Sequence, residues 1–198
     1  MRELLKAVVR ALCLVVACPA LASYYLRSAF MGRDRALEGS SQALGLLPGV
    51  LGQYVRRAFC THVLAECHPT TCIEFGVHFS RAGARLGQNV YIGPRSHIGL
   101  AHIGKDVLLA AGVHVPSGAN IHGTDAVDVP IRDQAGRLSV VSIGEGAWVG
   151  STAVVMADVG RHAIIGAGAV VTKPVPDYAI AAGVPARVIR DRREPAVS

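Results

Sequence analysis

The chain has 198 residues, of which 22 are glycine, 51% are apolar and only 5% are aromatic. Many glycines and few aromatic residues indicate tight turns around a narrow aliphatic core and argue against a helical bundle. The net charge of +6 favours anionic partners such as phosphate groups or phospholipid, but no aromatic residues alternate with the basic ones, which argues against nucleic acid.

Two uncharged apolar segments lie in the first 60 residues. The first, ALCLVVACPALASYYL, covers 11–26, and we expect Pro19 to interrupt it. The second, GSSQALGLLPGVLGQYV, covers 39–55 and is expected to break at Pro48. Arginine or lysine residues flank both segments, and both are shorter than the about 20 apolar residues that span a bilayer. We therefore predict that residues 1–72 form a helical segment attached to the cytoplasmic surface of the membrane.

Two other interpretations of this segment stay open. The triplet ALA at 20–22 matches the A-x-A pattern of a secretory cleavage site, and the helices could instead cap a soluble core. The five cysteines favour the cytoplasm, because they are odd in number and have no repeated spacing. Cys60, Cys67 and Cys72 lie near two histidines in the sequence, but the spacing matches no zinc pattern, and we predict no metal.

A six-residue repeat begins at Leu86. Each line of six opens with an aliphatic residue that glycine usually follows, as in IGEGAW and VGSTAV from Ile143 onward. This period matches neither the apolar spacing of a helix nor that of a single strand. The register slips at Ile103 and at Val159 and has one long interruption. The lines open at Leu86, Ile92, Ile98, Ile103, Leu109, Val115, Ile121, Ile143, Val149, Val155, Val159, Ile165 and Val171.

A six-residue line is the length of a short strand with a turn, and three lines would form one triangular coil of about eighteen residues. The aliphatic residue then points into the prism, and successive coils pair as parallel strands. We therefore predict a mainly β protein, with a parallel β-helix over residues 73–178 and a C-terminal tail over 179–198. The segment VTKPVP at 171–176 is expected to end the repeats, because its prolines hinder the pairing of a further strand.

The interruption of the repeat covers residues 122–142 and reads HGTDAVDVPIRDQAGRLSVVS. It is polar, contains proline and glycine, and leaves a rigid repeat scaffold. Loops of this kind carry function more often than the scaffold does. The sequence therefore predicts the reactive site at the root of this loop.

The segments IGEGAWVGSTAVVMADVG and IIGAGAVVTKPVPDYAIAAGVPARVIR resemble the hexapeptide-repeat acyltransferases. Within that family the chain is most similar to the galactoside, antibiotic and polysaccharide O-acetyltransferase branch, over residues 73–190. The resemblance implies a left-handed winding of the β-helix and a homotrimer. It also implies that acyl-CoA binds in the cleft between neighbouring prisms.

The resemblance also implies a catalytic residue. In the family a histidine at the base of the extruded loop is the general base, and His122 matches it. An imidazole with a pKa near 6.5 can take the proton of an attacking hydroxyl at neutral pH. Asp125 is the candidate to orient the ring. The alternatives are that His122 merely faces solvent, or that His114 takes its place, although His114 ends a regular line and should point outward.

The coenzyme contacts follow from the same comparison. Thr172 and Lys173 match the coenzyme-binding end of the β-helix, and Gly166 and Ala167 would let the pantetheine arm lie close to the backbone. Trp148 falls where the family often has an aromatic residue that lines the acceptor pocket, or else lies in the trimer interface. The basic residues expected to meet the nucleotide phosphates are Arg187 and Arg190.

The predicted function is transfer of an acetyl group from acetyl-CoA to a hydroxyl of a sugar, glycan precursor or glycolipid, as in polysaccharide biosynthesis. One alternative is a metal hydro-lyase similar to γ-carbonic anhydrase, with His97, His102 and either His114 or His122 as ligands. The other is a β-helix that organises a membrane or envelope assembly without catalysis.

Overall fold

The computed structural model describes residues 2–194, with side chains from Val8 onward except that of Arg10. Three helices come first: α1 (Arg2–Met31), α2 (Arg33–Gly45) and α3 (Gly49–Val63). A parallel β-helix of three sheets follows them. The predicted fold class, a parallel β-helix behind a helical N-terminal segment, is confirmed.

Helix α1 runs through Pro19, so the expectation that this proline interrupts the first apolar segment is wrong. A proline inside a helix removes one backbone hydrogen bond. Buried residues on both sides of Pro19 hold α1 against α2 and α3, and the edge-on rings of Tyr24 and Phe59 lie 5.8 Å apart. Pro48 does divide the second segment, because it is the residue that precedes α3. The buried face of α1 consists of Cys13, Ala17, Leu21 and Tyr24.

The strands of the β-helix are mostly two residues long, and each sheet takes one strand from a coil. Sheet A contains β1 (Glu66–Cys67), β4 (Arg85–Leu86), β7 (Ala101–Ile103) and β10 (Val141–Ile143). Sheet B contains β2 (Cys72–Ile73), β5 (Tyr91–Ile92), β8 (Leu108–Leu109), β11 (Trp148–Val149), β13 (Ile164–Ile165), β15 (Ala179–Ala182) and β16 (Arg187–Asp191). Sheet C contains β3 (His78–Phe79), β6 (His97–Ile98), β9 (His114–Val115), β12 (Val154–Val155) and β14 (Val170–Val171).

Buried aliphatic residues stack in one column per sheet, as the six-residue period predicts. In sheet B, for example, Ile73, Ile92, Leu109, Val149 and Ile165 are in register and fully buried. The first coil begins at Glu66, earlier than residue 73, where the β-helix was predicted to start. It opens on Cys67, Ile73 and Phe79, which pair with Leu86, Ile92 and Ile98.

Every irregularity of the repeat lies at one corner of the prism. The inward residues of sheets A, B and C are always six residues apart within a coil, as in Leu86, Ile92 and Ile98. The return from sheet C to the next strand of sheet A, which we call the C–A corner, varies in length. It takes five residues from Ile98 to Ile103 and four from Val155 to Val159, the two predicted slips.

The helices close the N-terminal end of the prism. The hydroxyl oxygen of Ser41 accepts the backbone N–H of Phe79 (3.0 Å), and the Asp34 carboxylate accepts that of Ala82 (2.8 Å). The buried Arg56 guanidinium donates to the carbonyl of Ile73 (3.0 Å). Helices α2 and α3 therefore supply partners to a coil that has no coil before it, which agrees with the capping interpretation of these segments.

The prolines of VTKPVP do not end the pairing, contrary to the expectation from sequence. Between Pro174 and Pro176, the N–H of Val175 still donates to Asp158 and its carbonyl still accepts from Gly160. The prolines occupy positions at which the ladder needs no N–H. Strand β15 then pairs with β13, and β16 folds back antiparallel on β15. Much of the predicted tail, from residue 179 onward, is thus paired with the prism.

Candidate active site at the C–A corner

The extruded loop leaves the prism after β9 and returns into β10, at the C–A corner. Two backbone hydrogen bonds join its limbs into a neck: Ser139 N–H to the Ser117 carbonyl (2.9 Å) and Arg137 N–H to the Asn120 carbonyl (2.6 Å). The limbs approach so closely that a Cβ on Gly136 would overlap the carbonyl of Ile121. This position therefore requires glycine.

His122 lies at the top of this neck, and its side chain is exposed. A Cβ on Gly136 would also meet the backbone nitrogen of His122, so the two limbs fix where the histidine leaves the scaffold. Asp125 is exposed as well, but among the described residues no hydrogen bond or ion pair joins it to His122. His122 therefore lies on the neck of the extruded loop, and the orienting contact expected from Asp125 is not formed.

Gln134 organises the outer part of the loop and was not singled out from the sequence. Its side-chain nitrogen donates to the carbonyls of Ala126 (2.6 Å) and Val129 (2.8 Å), and its oxygen accepts the N–H of Ala126 (3.1 Å). The side-chain amide of Gln134 consequently holds the part of the loop beyond the neck in place. No periodicity in the sequence signals such a residue, because its partners are backbone groups.

The predicted coenzyme residues divide between different sides of the prism. Thr172 and Lys173 are exposed at the C–A corner, two coils beyond the loop root, which is about 10 Å along the prism axis. Gly166 and Ala167 lie at the corner between sheets B and C, after β13. A Cβ on Gly166 would lie 2.8 Å from the Cβ of Ala182, so this corner has little room for a side chain.

Trp148 lies on the outer face of sheet B, and its side chain is 49% exposed. It is in register with Leu108 on one side and Ile164 on the other, and Leu108 is also exposed. An indole on an aliphatic column forms an apolar surface on this face. The tryptophan is thus positioned to contact another molecule, whether an acceptor or a neighbouring protomer.

Strand β16 carries the predicted phosphate-binding arginines at the C-terminal end of the prism. Arg187 is exposed, and the guanidinium of Arg190 donates to the Glu194 carbonyl (3.1 Å). Two further arginines, missed from the sequence, lie nearby: Arg192 donates to the His162 carbonyl (2.7 Å), and the guanidinium of Arg193 stacks over the Tyr178 ring (4.5 Å). This end of the molecule is therefore rich in arginine.

Three histidines form a ladder on the outer face of sheet C. His78, His97 and His114 are in register on β3, β6 and β9, with adjacent ring centroids 4.6 and 4.7 Å apart. Burial, then the neighbouring histidines and Arg81, lowers the pKa of His97 to about 4. Burial also lowers the pKa of His114. Both rings are accordingly neutral at pH 7.

The ladder does not support the metal hydro-lyase alternative. His102 lies on sheet A, apart from His97 and His114 on sheet C. Within residues 2–194 no group of three or more His, Cys, Asp or Glu side chains is arranged to hold a metal ion. Burial raises the pKa of Cys60 and raises that of Cys67 to about 11, so both thiols are protonated at neutral pH in the metal-free chain.

A family model for the hexapeptide repeat of succinyl-transferase matches residues 83–116 and 140–173. The gap between the two matches, residues 117–139, contains the neck and most of the extruded loop. The galactoside O-acetyltransferase of Escherichia coli is 30% identical over 149 residues, which are 69% of this chain and 68% of that protein. The chain belongs to the hexapeptide-repeat acyltransferase family.

The other similar proteins are covered to very different extents. A probable acetyltransferase of Mycobacterium tuberculosis is 34% identical over 114 residues, but the chain spans only 37% of that protein. Among solved structures, a maltose O-acetyltransferase from Clostridium difficile superposes with a TM-score of 0.66 at 20% identity, covering 80% of this chain and 87% of that one. A galactoside acetyltransferase in complex with coenzyme A gives 0.61 at 22% identity, covering 83% and 86%. These two likenesses concern the fold.

Proposed function

We propose that the protein transfers an acetyl group from acetyl-CoA to a hydroxyl of a sugar, a glycan precursor or a glycolipid. The observation that carries the proposal is the position of His122, on a tightly held neck where the family repeat opens into its long loop. The galactoside and maltose O-acetyltransferases named above, which are similar to this chain, support a sugar hydroxyl as acceptor.

His122 acts as the general base in this proposal. Its imidazole takes the hydroxyl proton while the acceptor oxygen bonds to the thioester carbonyl carbon. Collapse of the tetrahedral intermediate breaks the carbon–sulfur bond, and the proton passes from the imidazolium to the sulfur, which releases the CoA thiol and an O-acetyl ester. Because His122 is exposed in the single chain, the bound substrates and a neighbouring protomer would together exclude water from the ring.

Acetyl-CoA would bind along the last coils. Lys173 and the arginines of β16 supply the positive charge that its phosphates need, and the narrow corner at Gly166 and Ala167 admits the slender pantetheine arm. Thr172 would add a hydroxyl, and Trp148 would contact the acceptor sugar or the partner. These roles rest on the family's motif and on the exposure of the side chains.

We further propose a homotrimer in the cytoplasm, where acetyl-CoA is made. The proposed residues lie on the C–A corner, on the corner between sheets B and C, and on the face of sheet B. A convex prism does not bring these three places around one small molecule. In a trimer, a corner of one prism could lie opposite the sheet B face of its neighbour, and the two chains together would complete the site.

The test is release of CoA thiol from acetyl-CoA by the purified full chain, with galactosides, maltose and longer glycans as acceptors. Mass spectrometry of the product identifies the acetyl ester, and succinyl-CoA tests the choice of acyl group. We expect thiol release that depends on a sugar hydroxyl and is lost in His122→Ala. Absence of turnover with every acceptor, together with absence of acetyl-CoA binding by calorimetry, would contradict the proposal and favour the scaffold alternative.

A further inference from the structure

Helix α1 is apolar on two opposite faces, and the body of the protein covers one of them. The covered face packs on α2 and α3. On the opposite face five large side chains are exposed to the following extents, three near the start of the described helix and two near its end: Leu12 60%, Val15 67%, Val16 62%, Leu26 66% and Phe30 83%. We call these five residues the outer stripe.

The outer stripe is too large for an ordinary soluble surface. From Leu12 to Phe30 it extends along eighteen residues of helix, or about 27 Å, and no charged residue occurs between Ala11 and Leu26. Contiguous exposed apolar surface of this extent marks an interaction site for protein or membrane. A helix that is apolar on all sides needs an apolar partner on each side.

The charges around the outer stripe indicate which partner it has. Between Arg2 and Arg35 the sequence contains six basic and two acidic residues. Arg35 is exposed just beyond the C-terminal end of α1, as is Arg33, whose guanidinium also donates to the carbonyl of Val63 (3.1 Å). Basic residues beside an apolar helix face favour an anionic lipid surface, since each adds attraction to the headgroups.

The packing of α1 indicates how it would meet the membrane. Residues 11–31 are apolar and long enough to cross a bilayer. However, Tyr24 packs on Phe59, and the Tyr25 hydroxyl donates to the carbonyl of His62 (3.0 Å), so α1 is fastened to the helices that cap the prism. A spanning orientation would drag buried Arg56 and the first coil into the hydrocarbon or break these contacts.

We propose that α1 lies in the plane of an anionic membrane leaflet, with the outer stripe immersed among the acyl chains and the β-helix held at the surface. This arrangement is independent of the reaction proposed above. It would bring the enzyme to acceptors that are attached to lipid, while the basic C-terminal end of the prism stays available to soluble acetyl-CoA.

The experiment is flotation of the full chain with vesicles, without acceptor or acetyl-CoA. Vesicles of phosphatidylcholine alone are compared with vesicles that also contain about 30% phosphatidylglycerol, which gives them an anionic surface. We expect the wild type to bind the anionic vesicles, more weakly in high salt, and to be released by an alkaline carbonate wash.

The double variant Leu26→Ser with Phe30→Ser should lower the partition coefficient at least about tenfold, because each side chain loses its transfer free energy. Val188→Ser, an exposed apolar residue on β16, is the control and should bind as the wild type.

Three results would overturn the proposal. The first is failure of the wild type to bind anionic vesicles, and the second is retention of α1 after the carbonate wash, which indicates a span. The third is a double variant that binds vesicles normally but loses oligomer mass in light scattering, which would assign the outer stripe to a second copy of the chain. Thiol release by the same variants, measured with a soluble sugar, distinguishes a failure here from a failure of the proposed activity.

Discussion

The ring nitrogens His97 Nδ1 and His114 Nε2 lie 3.2 Å apart, on neighbouring strands of sheet C. Burial, and then the charges of His114 and of His78 stacked on the other side, make protonation of His97 unfavourable in the folded protein, and its pKa is lowered to about 4. In the unfolded chain a histidine titrates near about 6.5. Protons therefore bind the unfolded chain first, so stability present above pH 6.5 is lost as the pH falls toward 4.

Because of this linkage, we predict that His97→Gln makes the stability of the protein less dependent on pH below about 6.5. The thermal midpoint of the wild type should fall between pH 6.5 and 4 more steeply than that of the variant. Because the ring is partly solvated, the difference should be about 1–2 kcal/mol and not the full value of the shift. His102→Gln, on sheet A, is the control. Parallel curves for His97→Gln and the wild type would contradict the prediction.

The general base is tested by His122→Ala, which should lower kcat by roughly 10²- to 10⁴-fold. Oligomer mass and acetyl-CoA binding should stay unchanged, because the His122 side chain is exposed and packs in no column of the prism. His114→Ala is the matched comparison, since His114 begins β9, the last strand before the loop. If His114→Ala abolished turnover and His122→Ala did not, the base would have been assigned to the wrong histidine.

Lys173→Ala should raise the KM for acetyl-CoA by about 3- to 10-fold, with a smaller change in kcat, because it removes charge that contributes equally to ground-state and transition-state binding. Initial rates at varied acetyl-CoA and saturating acceptor give the two constants. Lys105→Ala removes a lysine that is paired with Asp106 and Glu145 at another corner. An equal rise of KM in that variant would mean that net charge, and not the position of Lys173, is responsible.

Gly136→Ala should reduce kcat sharply while the β-helix stays folded. The added Cβ would overlap the Ile121 carbonyl and push apart the limbs of the neck, which moves His122. Circular dichroism checks the fold, and thiol release checks the activity. Ala135→Ser changes the preceding exposed residue and should leave both unaffected. Full activity of Gly136→Ala would show that the neck does not position the base.

Ser41→Ala should lower the stability of the whole chain by about 1–3 kcal/mol, because the buried N–H of Phe79 loses its acceptor. Thermal unfolding at equal protein concentration measures the effect. Ser28→Ala, which removes a hydroxyl bonded to the carbonyl of Tyr25 in its own helix, should change little. A loss as large for Ser28→Ala would indicate helix propensity instead of the cap.

The aliphatic period predicted the prism from Leu86 to Val171 because each line repeats the same local requirement, an inward aliphatic residue. The predicted start at residue 73 left out the first strand, where Cys67 takes the inward position without a following glycine. The course of α1 was also mispredicted. A proline is a local signal, and the packing of Tyr24 on Phe59 comes from residues far apart in the sequence.

The sequence predicted which segment carries the candidate site, but not how the side chains of that segment are arranged. The interruption predicted over residues 122–142 located the loop, although the chain already leaves the prism after β9. The hydrogen bonds of Gln134 to the loop backbone, and the lack of a bond between Asp125 and His122, depend on the three-dimensional course of the loop. Likewise the separation of Lys173 from Gly166 by one side of the prism follows from the six-residue sides, which can be counted only when the sheets are known.

The two ends of the prism are closed by different devices, and together they set the length of the stack. At one end Ser41 and Asp34 occupy the hydrogen-bonding groups of the first coil. At the other, β16 pairs with β15, and the turn before β16 bonds both the N–H and the carbonyl of Val170. A terminal coil without a cap would have unpaired backbone N–H and C=O groups that could pair with the opposite end of another molecule. Head-to-tail association of that kind is not limited to a fixed number of chains. A chain shortened to remove α1–α3 should for this reason polymerise into fibres and not remain as discrete particles.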